Sequence, residues 1–256
     1  MGAERSASDN VDELTVFLPA YNESENLART VTSAVAVLDG LGVRDLQVVL
    51  IDDGSTDGTG EIAEALARED RRIGVVHHPT NRGYGAALKS GFAAASREWI
   101  FYTDSDGQFD LADIAQLFSY ADSFDAIVGY RLRRSDNPVR KVNQFLWSRL
   151  VRRVLGIDVR DVDCAFKLIR RANVERIAPL VSEGAVISAE LLVKLDRSGA
   201  RLKQVGVRHH PRVAGKPTGG SPYVIARALR ELFALRRSLR AGAGVGERPA
   251  DARERL

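Results

Sequence analysis

A single cysteine, Cys164, occurs in the 256 residues. That excludes an intrachain disulfide framework and any zinc cluster built on several thiolates, and it accords with a reducing, cytoplasmic setting. No stretch reaches the roughly 18 to 20 apolar residues that a bilayer-spanning helix requires. Met1 to Glu13 is polar and mixed in charge, without the apolar centre of a secretory signal. The expectation is a cytoplasmic chain, soluble or peripheral to a membrane surface. The fingerprint G-x-G-x-x-G is also missing: after Gly83 and Gly85, Leu88 stands where the third glycine belongs. The pair follows the third expected strand, and P-loop spacing is not met either, so a dinucleotide oxidoreductase is disfavoured. Gly83 and Gly85 instead suit a tight turn and close helix packing beside a nucleotide.

What is present is an ordinary globular composition, 45% hydrophobic and 28% charged, long enough for one substantial core. Net charge is only +3, but it is unevenly placed. Arg131 to Arg153 holds eight basic residues against Asp136, and Val224 to Arg240 holds five arginines against Glu231. Such asymmetry points to an anionic partner: a phosphate-bearing substrate, a membrane surface or a nucleic acid. Phe145 and Trp147 among the arginines favour a membrane surface over nucleic acid, although the same residues could pack on the sheet. No RNA-binding motif is present, and we expect no nucleic-acid partner.

Apolar runs and helical periodicity alternate along the chain. Strands are expected at Leu14–Leu18, Leu46–Ile51, Ile73–His77, from Trp99, and at Asp125–Gly129. Helices are expected from Leu27 to Leu38, Gly60 to Glu69, Ala86 to Ser96 and Leu111 to Tyr120. Repeated strand–helix units with short links predict an α/β fold with a mostly parallel, Rossmann-like sheet wrapped on both faces. Beyond Arg131 the pattern is less regular. Helices are expected at 138–155, 187–195 and 223–240, strands at 165–169 and 201–207, and a Gly/Pro-rich loop at 215–222. One domain over 13–240 is expected, ending in an amphipathic helix, with a flexible N-terminus (1–12) and a disordered tail (241–256).

In such sheets ligands bind beyond the carboxyl ends of the strands. Pro19–Glu23, Asp52–Asp57 and Asp104–Gln108 all fall there. Asp104 and Asp106, one residue apart after the aromatic run from Trp99, would repel each other unless a cation lies between them. Hard oxygen ligands suit Mg²⁺ or Mn²⁺, with substrate phosphates completing the shell. Taken alone, the pair is equally a polar turn capping the helix near Leu111. His209 and His210, adjacent on an extended segment, would face opposite ways and cannot easily share a metal.

Four segments in this order carry a resemblance: Phe17-Leu18-Pro19-Ala20-Tyr21-Asn22-Glu23, Ile51-Asp52-Asp53-Gly54-Ser55-Thr56-Asp57-Gly58-Thr59, Asn81-Arg82-Gly83-Tyr84-Gly85-Ala86-Ala87 and Asp104-Ser105-Asp106-Gly107-Gln108. Over roughly residues 13–220 the chain resembles the family 2 glycosyltransferases of GT-A fold. Within them it is most similar to the catalytic domain of the dolichol- and polyprenol-phosphate sugar synthases. The resemblance implies that Pro19, Ala20, Tyr21 and Glu23 line the nucleotide of a nucleotide-sugar donor. It further implies that Asp53 bonds the base, that Gly83 lies beside the nucleotide, and that Asp104 and Ser105 meet the diphosphate. Asp104, Asp106 and Gln108 would hold Mg²⁺ or Mn²⁺. Arg131, Lys167 and Arg212 match basic positions for donor and acceptor phosphates.

A polyprenyl phosphate acceptor needs no strong base, whereas a hydroxyl acceptor does; Glu190 is then the first candidate and Asp163 the second. Relatives often end the acceptor loop R-x-x-G-x-S-K. Here Arg212-Val213-Ala214-Gly215-Lys216-Pro217-Thr218 moves the lysine two residues, which leaves the acceptor open. Many relatives also carry transmembrane helices after the catalytic domain, so action beside a separate membrane partner is a further expectation. The expected activity is a metal-dependent, inverting hexosyl transfer to a polyprenyl phosphate, with a hydroxyl of a small molecule or glycan as the alternative acceptor.

Overall fold

The computed structural model describes residues 11–132, 138–212 and 222–241. Most of the expected flexible N-terminus, of the Gly/Pro-rich loop and of the disordered tail lies outside the described residues, as does the side chain of Phe145. The first half alternates as expected: β1 (Glu13–Ala20), α1 (Leu27–Gly40), β2 (Asp45–Asp52), α2 (Thr59–Glu69), β3 (Ile73–His77), α3 (Tyr84–Ala94) and β4 (Trp99–Thr103). The second half runs α4 (Ile114–Phe118), β5 (Ala126–Arg131), α5 (Pro138–Leu155), β6 (Phe166–Arg170), α6 (Arg171–Ile177), α7 (Val186–Arg197), β7 (Leu202–Val207) and α8 (Pro222–Arg240).

The seven strands form one sheet in the order β3-β2-β1-β4-β6-β5-β7. β1 pairs in parallel with β2 and β4, β2 with β3, and β5 with β7. β6 alone is reversed, antiparallel to both neighbours. That reversal positions the site. Because Phe166 lies opposite Thr103, the segment leading into β6 emerges at the rim where β4 ends. A parallel β6 would have carried Asp161, Asp163 and Lys167 to the far edge.

β4 is buried along its whole length and β1 at every residue after Glu13, as strands covered on both faces must be. α1 covers one part with Leu27, Thr30, Val31, Ala34 and Leu38, a helical stripe. α3 covers another with small residues. Phe17 stacks on Tyr102 at 5.2 Å between centroids, and Phe92 of α3 meets both rings edge-on. A Cβ on Gly91 would stand 2.3 Å from the Phe17 ring, so only glycine lets the helix lie this close. A second apolar cluster joins α5, α7 and α8 through Val151, Leu155, Leu192, Leu232, Leu235 and Leu239.

Two elements differ from expectation. The helix expected over 111–120 is a 3-10 turn, Leu111–Asp113, followed by the five-residue α4. α6 was not expected; seven residues burying Asn173, Val174 and Ile177 are too short to show a periodic signal among two arginines and a glutamate. No helix among the described residues is long and apolar enough to cross a membrane.

Candidate active site

The rim is built from loops that are tied to one another. Asn22, in the left-handed region at φ 55, donates its N–H to Ser55 Oγ (3.0 Å), while its Oδ1 accepts from Thr56 N–H (2.9 Å). Glu23 N–H donates to Thr59 Oγ1 (2.9 Å), and Ser24 N–H to Asp57 Oδ2 (3.1 Å). The polar side chains after β2 therefore lock the loop after β1 rather than reaching for a ligand. Burial would raise the pKa of Asp52, but hydrogen bonds from Ser55 and His77 outweigh it and hold the carboxyl below the usual range. What the two loops leave open is Tyr21, 37% exposed.

Asp53 is buried, and its oxygens already accept three hydrogen bonds. Arg82 N–H reaches Oδ1 at 2.9 Å, Gly83 N–H reaches Oδ2 at 2.8 Å, and His78 Nδ1 stands 2.5 Å from Oδ1. Its first task in this fold is to hold the turn before α3. Gly54 lies beneath that turn at φ +71, and a Cβ there would stand 2.4 Å from the Thr80 carbonyl carbon.

The two carboxylates after β4 differ sharply. Burial, then the charge of Asp106, pushes Asp104 up to about 7, although a hydrogen bond from Tyr84 and the charges of Arg131 and Lys167 pull it back. Asp106 is compensated: its Oδ2 accepts from Arg212 Nη2 at 2.8 Å and its Oδ1 from Gln108 N–H at 3.1 Å. Arg212 reaches Glu23 Oε1 with its other nitrogen at 2.9 Å, so one guanidinium bridges the loops after β1 and β4. It arrives there because the chain beyond β7 pairs with the D-x-D loop. Gln108 Nε2 donates to His210 O (3.0 Å), His210 N–H to Gln108 O (2.7 Å), and Asp110 N–H to Arg208 O (3.2 Å). The His209 ring packs edge-on against Phe109.

Several expected site residues are placed differently. The Ser105 hydroxyl is buried and donates to Pro19 O at 2.9 Å, so it braces two strand ends instead of facing a ligand. Lys167 is 0% exposed, its Nζ donating to the carbonyls of Val162 and Cys164. It is a fixed positive charge beneath the rim, not a surface phosphate contact. Arg131 is bound through Nε and Nη2 to Asp161, at 2.6 and 2.7 Å.

Glu190 does not fit the role of a base. It is 0% exposed, accepts from the N–H groups of Val181 and Ser182, and faces Lys194 Nζ at 2.7 Å. Burial alone would raise its pKa, but these donors hold it below the ordinary value. A base needs an open lone pair and access to the proton it takes; Glu190 has neither and instead anchors α7. Asp163 is the opposite case. Burial and then the charge of Asp161 raise it, with the Trp147 indole donating to it.

Tyr84 and His78 were missed as site residues. Tyr84 lies inside the Asn81–Ala87 motif but gives no sign of its reach to Asp104, and His78 pairs with Asp53 across a turn no local pattern reveals. Among the described residues no three His, Cys, Asp or Glu side chains converge as a complete metal cage. Two hard carboxylates, one with its pKa raised by burial and then by the other's charge, do suit a divalent cation that takes its remaining ligands from a diphosphate.

A profile described as Glycosyl transferase family 2 matches residues 15–178. Glycosyltransferase AglD of Haloferax volcanii is 34% identical over 208 residues, 78% of this chain and 33% of that protein. The undecaprenyl-phosphate 4-deoxy-4-formamido-L-arabinose transferase of Shewanella sediminis is 31% identical over 237 residues, 91% of this chain and 68% of that protein. The chain thus spans 33% and 68% of the lengths of these two curated relatives. Among solved structures, glucosyl-3-phosphoglycerate synthase from Mycobacterium tuberculosis, in complex with Mn²⁺, uridine diphosphate and glucosyl-3-phosphoglycerate, superposes with a TM-score of 0.63 at 20% identity, covering 94% of this chain and 84% of that one. Mannosyltransferase PcManGT from Pyrobaculum calidifontis, in complex with GDP-Man and Mn²⁺, gives 0.64 at 19% identity, covering 94% and 67%. At these identities the likeness is one of fold, the GT-A fold expected from the sequence.

Proposed function

The chain belongs to the family 2 glycosyltransferases, and on that premise we propose that it moves a hexose from a nucleotide-diphosphate sugar to a polyprenyl phosphate, with inversion. The observation that carries the reading is the carboxylate pair Asp104 and Asp106, set on the same rim as exposed Tyr21 and bridged to Glu23 by Arg212. The names of the Haloferax and Shewanella relatives support sugar transfer, and the second supports a polyprenyl phosphate acceptor.

In this reading Tyr21 stacks on the base, with Pro19 and Ala20 beside it and Asp53 and Gly83 closing the nucleoside end. Asp104 and Asp106, with Gln108 next to them, would hold Mg²⁺ or Mn²⁺. The ion would supply charge stabilisation at the departing diphosphate. The acceptor phosphate is already an anion. One of its oxygens forms a bond to the anomeric carbon as the bond from that carbon to the diphosphate breaks on the opposite face. Arg212, bound to both Asp106 and Glu23, is the basic group we assign to that event, while Arg131 and Lys167 offset the negative charge of Asp104 and Asp163 from behind.

A second reading keeps the donor and uses a hydroxyl acceptor. Its candidate base is Asp163, whose carboxyl is raised by burial and then by the charge of Asp161. Peripheral attachment to a membrane through the basic helices α5 and α8 belongs to the polyprenyl reading. The deciding experiment is to incubate the protein with Mn²⁺ or Mg²⁺ and a panel of nucleotide sugars, with and without polyprenyl phosphate. Released nucleotide and product mass identify donor and acceptor together. Nucleotide release that polyprenyl phosphate does not stimulate would reject the acceptor.

A further inference from the structure

We propose that His78 is a positioning residue for the donor site: its imidazole fixes the Asp53 carboxylate, and Asp53 fixes the turn from which Tyr84 reaches Asp104. This rests on the donor reading above and adds to it a coupling between the nucleoside end of the site and the diphosphate end.

His78 directly follows β3 and is buried. Its backbone N–H donates to Asp52 O at 2.8 Å, which holds it at the sheet edge beside the Asp-Asp pair. Both ring nitrogens are engaged. Nδ1 stands 2.5 Å from Asp53 Oδ1, and Nε2 stands 2.8 Å from Ser90 Oγ on α3. An ionised carboxylate can only accept, so Nδ1 carries a hydrogen and donates it. Ser90 closes the other edge of the ring and sets its plane. The arrangement resembles a Ser-His-Asp triad in connectivity only: the serine lies in the middle of α3, and its hydroxyl partners the ring rather than a substrate.

The purpose of the arrangement lies on the other side of Asp53. Its oxygens receive the N–H groups of Arg82 and Gly83, two amides with no helical partner at the N-terminus of α3. Gly83 turns at φ +90, and the next residue, Tyr84, lies close to Asp104. Gly85 N–H then donates to Glu183 O at 2.9 Å. Gly83, bound to Asp53, and Tyr84, close to Asp104, are thus consecutive residues of one turn. A ligand that spans both ends needs that spacing fixed before it arrives. A carboxylate gripped only by two turn amides could rotate with the turn. The imidazole, held at both edges between β3 and α3, removes that freedom.

The geometry gives a test by conservative replacement. An asparagine at 78 places an amide N–H near the position of Nδ1, whereas a glutamine places it near Nε2. His78→Asn should preserve the grip on Asp53; His78→Gln should lose it while keeping the Ser90 contact. Two readouts are taken: hydrogen–deuterium exchange of the 80–84 segment in the ligand-free protein, and binding of UDP and GDP with Mn²⁺ by calorimetry. We expect His78→Asn to match the wild type in exchange and to bind nucleotide within about threefold. His78→Gln should exchange faster at 80–84 and bind about tenfold more weakly or worse, the range for losing a hydrogen bond to a charged group.

Equal behaviour of the two variants, in either direction, overturns the proposal, because a merely space-filling histidine would not distinguish them. Should His78→Gln not fold, Ser90→Ala carries the test: releasing the second edge of the ring should speed exchange at 80–84, and unchanged exchange overturns the proposal. A wild type that binds neither nucleotide rejects the donor reading instead, and the exchange comparison still decides the role of His78.

Discussion

Arg212 bridges Glu23 and Asp106 with two charge-assisted bonds, at 2.9 and 2.8 Å, in a half-buried position. The single negative charge of Asp106 is already offset by the Arg212 guanidinium, so the arginine weakens metal binding until a diphosphate brings further negative charge. Arg212→Gln is expected to raise Mn²⁺ affinity in the absence of nucleotide about five- to tenfold, the range for losing one such partner, while lowering turnover. Titration of Mn²⁺ followed by electron paramagnetic resonance measures it. Weaker Mn²⁺ binding in the variant would show that Arg212 supports the ion instead of competing with it.

A second residue-scale effect concerns pH. His77 stands between Asp52 Oδ2 (2.8 Å) and Glu64 Oε1 (3.0 Å), and these hydrogen bonds, Asp52 first, raise its pKa above the ordinary value. A raised folded-state pKa contributes stability that is fully present below the unfolded value, about 6.5, and is lost as pH rises through the folded value. Asp52 is depressed, so its contribution is present above the unfolded carboxylate value, about 3.9, and fades as pH falls below it. Both act together between those limits. The melting temperature of His77→Gln should therefore fall furthest below wild type near pH 5 to 6 and converge with it by about pH 9. A gap that widens toward pH 9 would contradict the assignment.

At the scale of elements, α3 shows what close packing requires. Gly91→Ala would gain about 1 kcal/mol of helix propensity. It would also drive a methyl to 2.3 Å from a fully buried ring already stacked on Tyr102, an overpacking that costs about 1 to 3 kcal/mol. The second effect wins because Phe17 has nowhere to move. The net expectation is a loss of up to about 2 kcal/mol, or up to about 8 °C in melting temperature by calorimetry. Gly91→Ala melting above wild type would mean that the helix can lift from the sheet.

Elements of regular period were legible in the sequence for a related reason. β1, β2 and β4 read as apolar runs because both their faces are covered, and their polar ends fell together on one rim as parallel strands require. The direction of β6 was not legible. Strand Phe166–Arg170 reads the same in either sense, and only its pairing with Tyr102 and Val128 reveals that Lys167 is buried mid-sheet. The roles of Ser105 and Glu190 failed in the same way. Ser105 lies in a motif and Glu190 in an otherwise apolar helical stretch, but their partners, Pro19 O for the one and the Val181 and Ser182 amides for the other, are set by chain crossings that leave no periodic trace.

At the scale of the molecule, the second apolar cluster separates an inner from an outer face on α5 and α8. Leu232 is fully buried there, so Leu232→Ala should destabilise the fold by about 2 to 5 kcal/mol in denaturant unfolding. The outer face is different. Trp147, expected at a membrane interface, is turned inward to Asp163, while Leu146 and Phe233 are 56% and 51% exposed. Around them Arg149, Arg153, Arg230, Arg237 and Arg240 also face solvent. The only acid of α8, Glu231, is engaged by Arg227 and by Gly184 N–H. Near an anionic bilayer each arginine contributes about 1 kcal/mol, so the five together exceed what two half-exposed apolar side chains add, about 1 kcal/mol apiece. Attachment should therefore be driven by charge and steered by the apolar pair. In vesicle sedimentation, Arg230→Gln combined with Arg237→Gln and Arg240→Gln should lower binding to phosphatidylglycerol vesicles by about a hundredfold. Phe233→Ser should lower it about fivefold, and high salt should release the wild type. Equal binding of the wild type to neutral and anionic vesicles would exclude this face as the attachment surface.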